Sequence, residues 1–430
     1  MAFHLPQEET LDAAGLAEHQ RRRLTAMLVD VLERNRFYRE KLGRLGPEEA
    51  AERFEALPLT TRAEIERDQL EHPPYGTNLT YPVVNYSRLH QTSGSTGEPL
   101  RWLDRAEDWE WWKKCWTIIY RAASVRADDR FLFPFSFGPF IGFWGAFETA
   151  ASLGNLCLPA GGMTTAARLR FMLENAATVV CCTPTYALRM AGAAAELGID
   201  LAASNVRGLI VAGEPGGSLP ATRGMLERAW GARVFDHAGM TEIGPYGFEC
   251  EEAPGGVHIM ESEFIAEVID PQSARAVADG QEGELVLTNL GRWGGPLIRY
   301  RTGDLVRVVR GRCACGRSFS RMVGGILGRV DEMVFIRGNN VYPGIVEDLV
   351  RGVGGVAEFR CELGCRGAMS DLRIEVEPVA GEDGPRLIGR ITEAIKGRLN
   401  FSPSVSLAEA GSLPRFEMKA CRWVRSERDG

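Results

Sequence analysis

The sequence predicts an α/β protein: a large N-terminal α/β layered domain with a β-rich subdomain, followed by a small α+β domain at the C-terminus. Three observations favour this fold class. Short apolar runs alternate with longer helix-like segments through the middle of the chain, and the pattern changes after Asp331. The length of 430 residues also suits one large domain with an appendage. The domains are therefore predicted to span residues 1–330 and 331–430.

The N-terminal segment is predicted to be helical. Between residues 14 and 42, apolar residues recur at spacings of three and four, as in an amphipathic helix. A run of three arginines falls between them and is interpreted as a solvated helix face. The apolar positions are Leu16, Leu24, Leu28, Val31, Leu32 and Phe37.

Strands are predicted for the middle of the chain. Residues 131–133, 178–182 and 208–212 are short apolar runs typical of buried strands in layered α/β domains. Residues 284–288 and 305–309 indicate strands of a sheet or a distorted barrel, and the sequence leaves their pairing open.

The C-terminal part combines both periodicities. Apolar and polar residues alternate over 359–363 and 372–376, which predicts two strands, and an apolar stripe at helical spacing runs from 387 to 399. A small α+β domain accounts for this combination.

Composition narrows the classes of function. Fifty Lys and Arg against 57 Asp and Glu give a net charge of −7, which disfavours a surface built to bind nucleic acid. No run approaches the ~18 uncharged apolar residues of a membrane span, and the start lacks the pattern of a signal peptide. We therefore expect a cytoplasmic protein without a membrane partner. Ten cysteines are too few for a disulfide scaffold.

A loop of glycines and hydroxyl side chains is a candidate phosphate site. It consists of Ser93, Gly94, Ser95, Thr96 and Gly97. Its N–H and O–H groups could turn inward without side-chain obstruction, which suits a polyphosphate. The loop lacks the lysine of a Walker A motif, and a plain surface turn explains it equally well on its own. No G-x-G-x-x-G occurs, which disfavours a dinucleotide-dependent oxidoreductase.

Five further segments occur in an informative order. They are AGEP at 212–215, DHAGMTE at 236–242, RYRTGD at 299–304, GRVDE at 328–332 and LPRFEMK at 413–419. This ordered set resembles the adenylate-forming ligases, and within them it is most similar to the phenylacetate–coenzyme A ligase family. Residues 35–38 and 57–61 are similar to that family's opening helix and to the entry of its nucleotide domain. Residues 1–79 are therefore interpreted as a helical entry segment of the large domain.

The resemblance implies a two-step reaction. ATP activates a carboxylic acid as an acyl-AMP with release of pyrophosphate, and the thiol of coenzyme A then displaces AMP. Because the reacting groups are anions, the site must screen charge and hold the attacking and leaving oxygens in line. The resemblance assigns Thr241 and Glu242 to catalysis, with Glu242 as an oxygen ligand of Mg²⁺. It makes Lys419 the lysine of a mobile lid that turns about a hinge at Asp331.

The resemblance also implies a nucleotide site and an acyl pocket. The nucleotide residues are the 93–97 loop with Gly213, Glu214, Pro215, Asp236, His237, Ala238, Gly239, Met240, Asp304 and Arg329. The pocket residues are Phe135, Phe137, Phe140, Ala238 and Gly239, and their flat apolar walls favour an aromatic acid. For His237, a structural hydrogen bond and a contact with substrate both stay open. Two positions depart from the family: Glu98 stands where many relatives have Lys, and Ala238 where an aromatic is common.

Four residues form a separate metal-ligand pattern. Cys250, His258, Cys313 and Cys315 read as C-x₇-H followed by C-x-C, and three thiolates with one imidazole suit tetrahedral Zn²⁺. Four protein ligands leave no position for water, so a zinc there would be structural. Unrelated reduced cysteines are the alternative. Cys250 and Cys313 follow Glu242 and Asp304 closely, so the metal would connect the loops that leave both segments.

Three functions remain open at this point. The chain is interpreted first as an aryl-carboxylate coenzyme A ligase, and second as a ligase that passes the acyl group to an amine or a carrier-protein thiol. A noncatalytic nucleotide-binding regulator is the third, and the Glu242, Asp304 and Lys419 set argues against it. The sequence does not fix the number of subunits, and a homodimer is one assembly that it allows.

Overall fold

The computed structural model describes residues 3–92, 98–139, 141–337, 339–366, 369–416 and 420–425. Helices α1 to α12 span Pro6–Glu9, Ala13–Arg34, Arg36–Leu42, Pro47–Glu52, Arg62–Glu71, Ala106–Ala122, Trp144–Ser152, Thr165–Glu174, Pro184–Glu196, Pro220–Trp230, Pro343–Gly352 and Gly384–Leu399. Two short 3₁₀ turns lie at Phe54–Ala56 and Val83–Asn85.

Strands β1 to β19 complete the secondary structure. They span Arg88–Gln91, Arg101–Asp104, Arg130–Phe133, Leu156–Pro159, Val179–Cys182, Gly208–Ala212, Arg233–Met240, Gly244–Glu249, Gly256–Ile259, Phe264–Ile269, Glu282–Asn289, Tyr300–Val309, Arg321–Arg329, Val334–Ile336, Asn339–Val341, Val356–Arg366, Met369–Pro378, Ser404–Leu407 and Trp423–Arg425. The runs predicted as strands lie within these elements, except that Thr178 precedes the start of β5.

Eleven strands form one mixed sheet in the order β10-β11-β12-β13-β9-β8-β7-β6-β5-β3-β4. Neighbouring strands from β4 to β7 are parallel, and those from β7 to β10 are antiparallel. The strands whose pairing the sequence left open, β11 and β12, thus continue the same sheet. The parallel and antiparallel halves meet at the β7–β8 pair, which carries the 236–242 segment.

The parallel half of the sheet is covered on both faces. Successive side chains of a strand point to opposite faces, so Leu132, Val180 and Leu209 pack in one core cluster with helices α8, α9 and α10. Phe131 and Val179, one residue away in each strand, belong to a second cluster with α6 and α7. Continuous apolar runs are required because neither face meets water.

The predicted helix over residues 14–42 is wrong in one respect, because it consists of two helices. Asn35 lies between α2 and α3 with an extended backbone, and its side chain accepts a hydrogen bond from the Tyr38 amide at 3.1 Å. An asparagine at this position satisfies the first free N–H groups of the new helix. The apolar spacing continues across the break, so periodicity alone does not reveal it.

The C-terminal part forms its own layer and core. Strands β16 and β17 are an antiparallel pair, flanked by β19 and β18 in parallel register, in a four-stranded sheet. Helices α11 and α12 pack against it through a buried cluster that includes Val346, Phe359 and Ile391. Within the described residues, no helix is long and apolar enough to cross a membrane.

Candidate active site

A fully buried arginine holds the turn between β7 and β8. Arg292 donates through Nη1 to the carbonyl oxygens of Thr241, at 2.7 Å, and Glu242, at 2.9 Å. Its Nε and Nη2 donate to the two carboxylate oxygens of Asp104 at 2.6 and 2.8 Å, and both side chains are 0% exposed. Arg292 also lies between the rings of Trp102 and Trp112. The Asp104–Arg292 pair therefore fixes the backbone of the predicted catalytic residues.

The Glu242 carboxylate lies at the edge of this buried region. Tyr300 donates its hydroxyl to Glu242 Oε1 at 3.3 Å, and the Arg62 guanidinium lies 3.8 Å from the same oxygen. Burial, and the neighbouring carboxylate, raise the pKa of Tyr300 well above its usual value, so the hydroxyl keeps its proton. Tyr300 and Arg62 thus face the carboxylate that the resemblance assigns to Mg²⁺ binding.

Asp304 and Arg329 are opposite each other on strands β12 and β13. Arg329 Nη1 donates to Asp304 Oδ1 at 3.2 Å, and the Tyr246 hydroxyl donates to Oδ2 at 3.1 Å. Arg329 Nε also donates to Asp331 Oδ1 at 2.9 Å. Although burial acts in the other direction, the neighbouring carboxylates raise the pKa of Arg329. One guanidinium thus connects the predicted ribose-binding acid with the predicted hinge.

The loop after β6 approaches β7 and β13 closely. Gly213 has φ of +96°, a conformation that favours glycine. Ser218 donates its hydroxyl to Asp236 Oδ2 at 2.5 Å, and a Cβ on Gly217 would lie only 2.6 Å from the Asp236 carboxyl. Burial raises the pKa of Asp236 to about 7. The missing side chain at residue 217 therefore allows this loop to pack directly against Asp236.

Glu214 receives the C-terminal tail. Its Oε1 accepts from the Thr185 amide and its Oε2 from the Ala420 amide, both at 2.8 Å. Burial raises the pKa of this carboxyl, in opposition to the two hydrogen bonds. Ala420 follows Lys419 in the chain, so the residue next to the predicted lid lysine is hydrogen-bonded to the predicted nucleotide loop.

A second tail residue attaches the small domain. Arg422 is buried and donates to Glu358 at 2.7 Å and to Glu347 at 3.2 Å, both within the small domain. Its Nη1 also lies 3.4 Å from the Thr185 hydroxyl of the large domain. At the other side of this junction, Asp348 of α11 accepts from the Ala221 amide at 2.9 Å. Arg189 of the large domain also donates to the Arg415 carbonyl at 3.2 Å.

Some predicted site residues lie outside the described part of the chain. They are Lys419, Phe140 and the hydroxyl loop Ser93, Gly94, Ser95, Thr96 and Gly97. Their roles stay predictions. Arg101 follows Glu98, the residue that stands where many relatives have Lys, and it donates to the Pro74 carbonyl at 3.1 Å.

Aromatic residues connect the predicted pocket to β7. Phe135 and Phe137 are partly buried, with ring centroids 5.0 Å apart, and Phe135 lies 5.2 Å from Phe143. Phe143 in turn lies 6.1 Å from Trp116, whose ring is 4.5 Å from His237. Ala238 is buried, Gly239 is exposed, and Met240 is partly buried at the end of β7. Phe135 and Phe137 therefore connect through Phe143 and Trp116 to His237 in one continuous aromatic wall.

The four residues of the metal-ligand pattern converge. One ligand atom from each of Cys250, His258, Cys313 and Cys315 lies within 4.8 Å of the others. The Cys250 and Cys313 sulfurs are 3.8 Å apart, and an ideal tetrahedron with Zn–S bonds of about 2.3 Å has an edge of about 3.8 Å. His258 Nδ1 lies 3.1 Å from the Phe319 carbonyl, which leaves Nε2 as the ligand atom facing the sulfurs. These residues fit a zinc ion.

Three residues of the site escaped the sequence analysis. Arg292 and Tyr246 contact the predicted residues directly, and Trp116 extends the aromatic wall. The available signal was the GRWGG string at 291–295: a Cβ on Gly291 would lie 2.1 Å from Trp111, and one on Gly294 2.3 Å from Asp108. The glycines on both sides of Arg292 therefore indicate a segment that packs closely against its neighbours, with a cation at its centre.

Comparisons with known proteins identify the family. The AMP-binding enzyme family model matches residues 89–291, and the AMP-binding enzyme C-terminal domain model matches residues 338–426. The phenylacetate-coenzyme A ligase of Pseudomonas putida is 31% identical over 426 residues, covering 96% of this chain and 94% of the relative. The chain belongs to the phenylacetate–coenzyme A ligase family. The Thermus thermophilus ligase of this family is 30% identical over 440 residues, with 96% and 97% coverage.

Solved structures agree with this family assignment. The 2-hydroxyisobutyryl-CoA ligase in the postadenylation state, in complex with 2-HIB-AMP, has a TM-score of 0.92 at 28% identity and covers 99% of this chain and 92% of its own. The same ligase with 2-HIB-AMP and CoA in the thioesterification state has a TM-score of 0.74, at 28% identity and with 99% and 93% coverage. The arrangement of the two domains in the present chain is therefore closer to the postadenylation state of that ligase than to its thioesterification state.

Proposed function

We propose that the protein activates an aromatic carboxylic acid with ATP as an acyl-AMP, releases pyrophosphate, and transfers the acyl group to coenzyme A. The observation that carries this proposal is the hydrogen bond between Glu214 and the Ala420 amide. It brings the C-terminal tail to the loop that the family uses for the nucleotide. A protein that only bound a nucleotide would not need its tail there.

The large domain supplies the nucleotide contacts in this proposal. Asp304 accepts from the ribose hydroxyls while Tyr246 and Arg329 hold its carboxylate. Gly213 and its neighbours give the adenine base access to the backbone. Glu242 holds Mg²⁺, which would screen the charge of the phosphates when bound. Arg292 keeps Thr241 and Glu242 in position through their carbonyls.

The tail supplies the remaining cation. Lys419 is proposed to bridge the carboxylate and the α-phosphate during adenylation, and to leave when the small domain turns about Asp331. The boundary between the large and small domains is accordingly proposed at residues 330–331. The Arg329–Asp331 pair is partly exposed, so it can be broken without burying an unpaired charge.

A pyrophosphate-exchange screen tests the proposed function. Aromatic, heteroaromatic and aliphatic acids are each incubated with the full-length protein, ATP, Mg²⁺ and labelled pyrophosphate. We expect label to enter ATP with at least one aromatic acid. Nucleotide binding without exchange over the whole panel would contradict the proposal and favour a noncatalytic regulator.

The acceptor is tested separately once an active acid is known. Coenzyme A is expected to accelerate AMP release with formation of the thioester. Acceleration by an amine or a carrier-protein thiol, with no response to coenzyme A, would replace the second half of the proposal and keep the first.

We further propose that the cysteine and histidine cluster binds one structural Zn²⁺. The ion would connect the residue after β8 and strand β9 with the loop between β12 and β13. Metal analysis of protein purified without added zinc should give about one zinc per chain. A content near zero would remove the idea.

A further inference from the structure

His237 is a buried histidine with one ring nitrogen in a hydrogen bond to the backbone. It belongs to β7 and is 7% exposed. Its Nδ1 lies 2.6 Å from the Gly247 carbonyl oxygen. Because a carbonyl can only accept, Nδ1 carries the hydrogen, and Nε2 of the neutral ring therefore holds a lone pair. Burial lowers the pKa of His237 to about 4, so the neutral form prevails at neutral pH.

The second nitrogen has no hydrogen-bond partner among the described residues. It lies beside Gly239, where an added Cβ would be 3.1 Å from Nε2. Gly239 is exposed and belongs to the predicted acyl pocket. The same point lies 3.3 Å from the Gly244 carbonyl oxygen and from Pro245 Cα, so a side chain at residue 239 would crowd the lone pair.

The surroundings of this nitrogen are otherwise aromatic. The Trp116 ring lies 4.5 Å from the imidazole, and Phe143 and Phe135 continue the wall. Rings of this kind bind a flat acyl group but provide no acceptor in its plane. Because His237 Nε2 is not fully buried, water can bond to it in the free protein, and a ligand that displaces this water without donating in its place leaves the acceptor unpaired. The Trp116 indole N–H has no partner among the described residues either, so the wall offers one donor besides the acceptor at Nε2.

We propose that His237 Nε2 selects an aromatic acid that carries a hydroxyl or amino donor, over the same acid without one. This inference rests on the proposed function and specifies its substrate class. His237 acts as a specificity-determining residue that accepts a hydrogen bond from the acyl group. An acid with a methyl group in place of the donor fills the same space and leaves the nitrogen unpaired.

The test compares matched acids in the pyrophosphate-exchange reaction. Hydroxy-, amino- and methyl-substituted benzoates and phenylacetates are measured at each ring position with the full-length protein. We expect one hydroxy or amino acid to exceed its methyl counterpart by about 10²-fold in kcat/KM, since sites built to bond a donor reject the analogue that lacks it strongly.

Two variants then assign the preference to His237. His237→Leu removes the acceptor, and we expect it to lower the ratio of kcat/KM for the donor acid to kcat/KM for the methyl acid by about 10²-fold. His237→Gln keeps an acceptor oxygen and should restore part of the preference. Phe143→Leu is the matched control, because it alters the aromatic wall and should lower both acids of a pair alike.

The outcomes separate the two proposals. No exchange with any acid refutes the proposed function itself. Exchange with equal rates for donor and methyl acids in the unmodified protein overturns the inference about His237, whether or not the variants fold. A preference that His237→Leu preserves also overturns it.

Discussion

The large-domain half of the candidate site and the C-terminal tail are held in place very differently. Arg292 and Asp104, which fix the Thr241–Glu242 backbone, are both fully buried and hydrogen-bonded to each other twice. The described part of the tail reaches the large domain through the Ala420 amide, a longer contact from Arg422 and an exposed bond from Arg189 to the Arg415 carbonyl. Breaking a buried ion pair costs about 3–5 kcal/mol, whereas an ordinary hydrogen bond contributes about 0.5–1.5 kcal/mol.

This difference suits a two-step reaction. The half of the site that must hold the acyl-AMP through both steps is built from contacts that are costly to break. The part that we propose to serve only adenylation is attached by contacts that the proposed domain rotation could exchange. Substitutions in the two regions should therefore affect the two half-reactions differently.

The largest effect is expected for the tail. Lys419→Ala should lower pyrophosphate exchange by about 10²–10³-fold, because it removes a positioned cation from the developing charge. Thioester formation from supplied acyl-AMP should change little. Single-turnover measurements of both half-reactions check this. Unchanged exchange would refute the role of Lys419, and equal loss of both steps would refute the division between tail and large domain.

A smaller effect on both half-reactions is expected for Arg292→Lys. A single ammonium cannot bond both Asp104 oxygens and two carbonyls, so the Thr241–Glu242 turn should lose its position. Supporting residues of this kind typically contribute about 10–100-fold, and we expect that loss in kcat/KM with a raised KM for Mg·ATP.

Arg317→Lys is the matched control for that variant. Arg317 is equally buried and paired with Glu9 at 2.6 Å, but it lies next to the cysteine and histidine cluster. It should lower thermal stability without raising the KM for Mg·ATP. If both variants raise this KM alike, Arg292 has only a structural role.

Substitutions in the cysteine and histidine cluster test whether the stability of the large domain depends on a bound metal ion. Cys315→Ser should reduce zinc content and lower the melting temperature by several degrees, since metal binding contributes folding free energy. Cys421→Ser, at an exposed cysteine, should do neither. Full zinc content in Cys315→Ser would show that Cys315 is not a ligand.

The smallest effect concerns the pH dependence of stability. The pKa of Asp236 is raised to about 7 in the folded chain, so the folded state binds a proton that the unfolded state has lost between about pH 4 and pH 7. The free energy of unfolding contributed by Asp236 therefore falls as pH rises.

Asp236→Asn removes this contribution. Its stability relative to the unmodified protein should increase from pH 4 to pH 7, as measured by urea unfolding at both values. His237 titrates in both proteins and cancels in this difference. A difference that does not vary with pH would contradict the raised pKa.

Sequence patterns predicted the local features of this molecule well and the long-range contacts poorly. Strands β3, β5 and β6 follow from continuous apolar runs, because both faces of the parallel half are covered. The helix break at Asn35 was missed because its cap is a single polar side chain within an unbroken apolar spacing. Arg292 was missed because its partner Asp104 is 188 residues away.

The candidate site divides in the same way. The 236–242 and 299–304 segments could be predicted because each carries its chemistry in consecutive residues. The proposed acceptor role of His237 could not, since it depends on a carbonyl from β8 and a ring from α6 that only the fold brings together.

Trapping the intermediate tests the central claim most directly. The full-length protein is incubated with ATP, Mg²⁺ and an active aromatic acid, without coenzyme A, and the products are identified by mass spectrometry. We predict acyl-AMP in an amount close to that of the enzyme, and its conversion to AMP and the thioester in one turnover when coenzyme A is added. ADP and phosphate as products, or AMP formation without any acyl-AMP, would contradict the account.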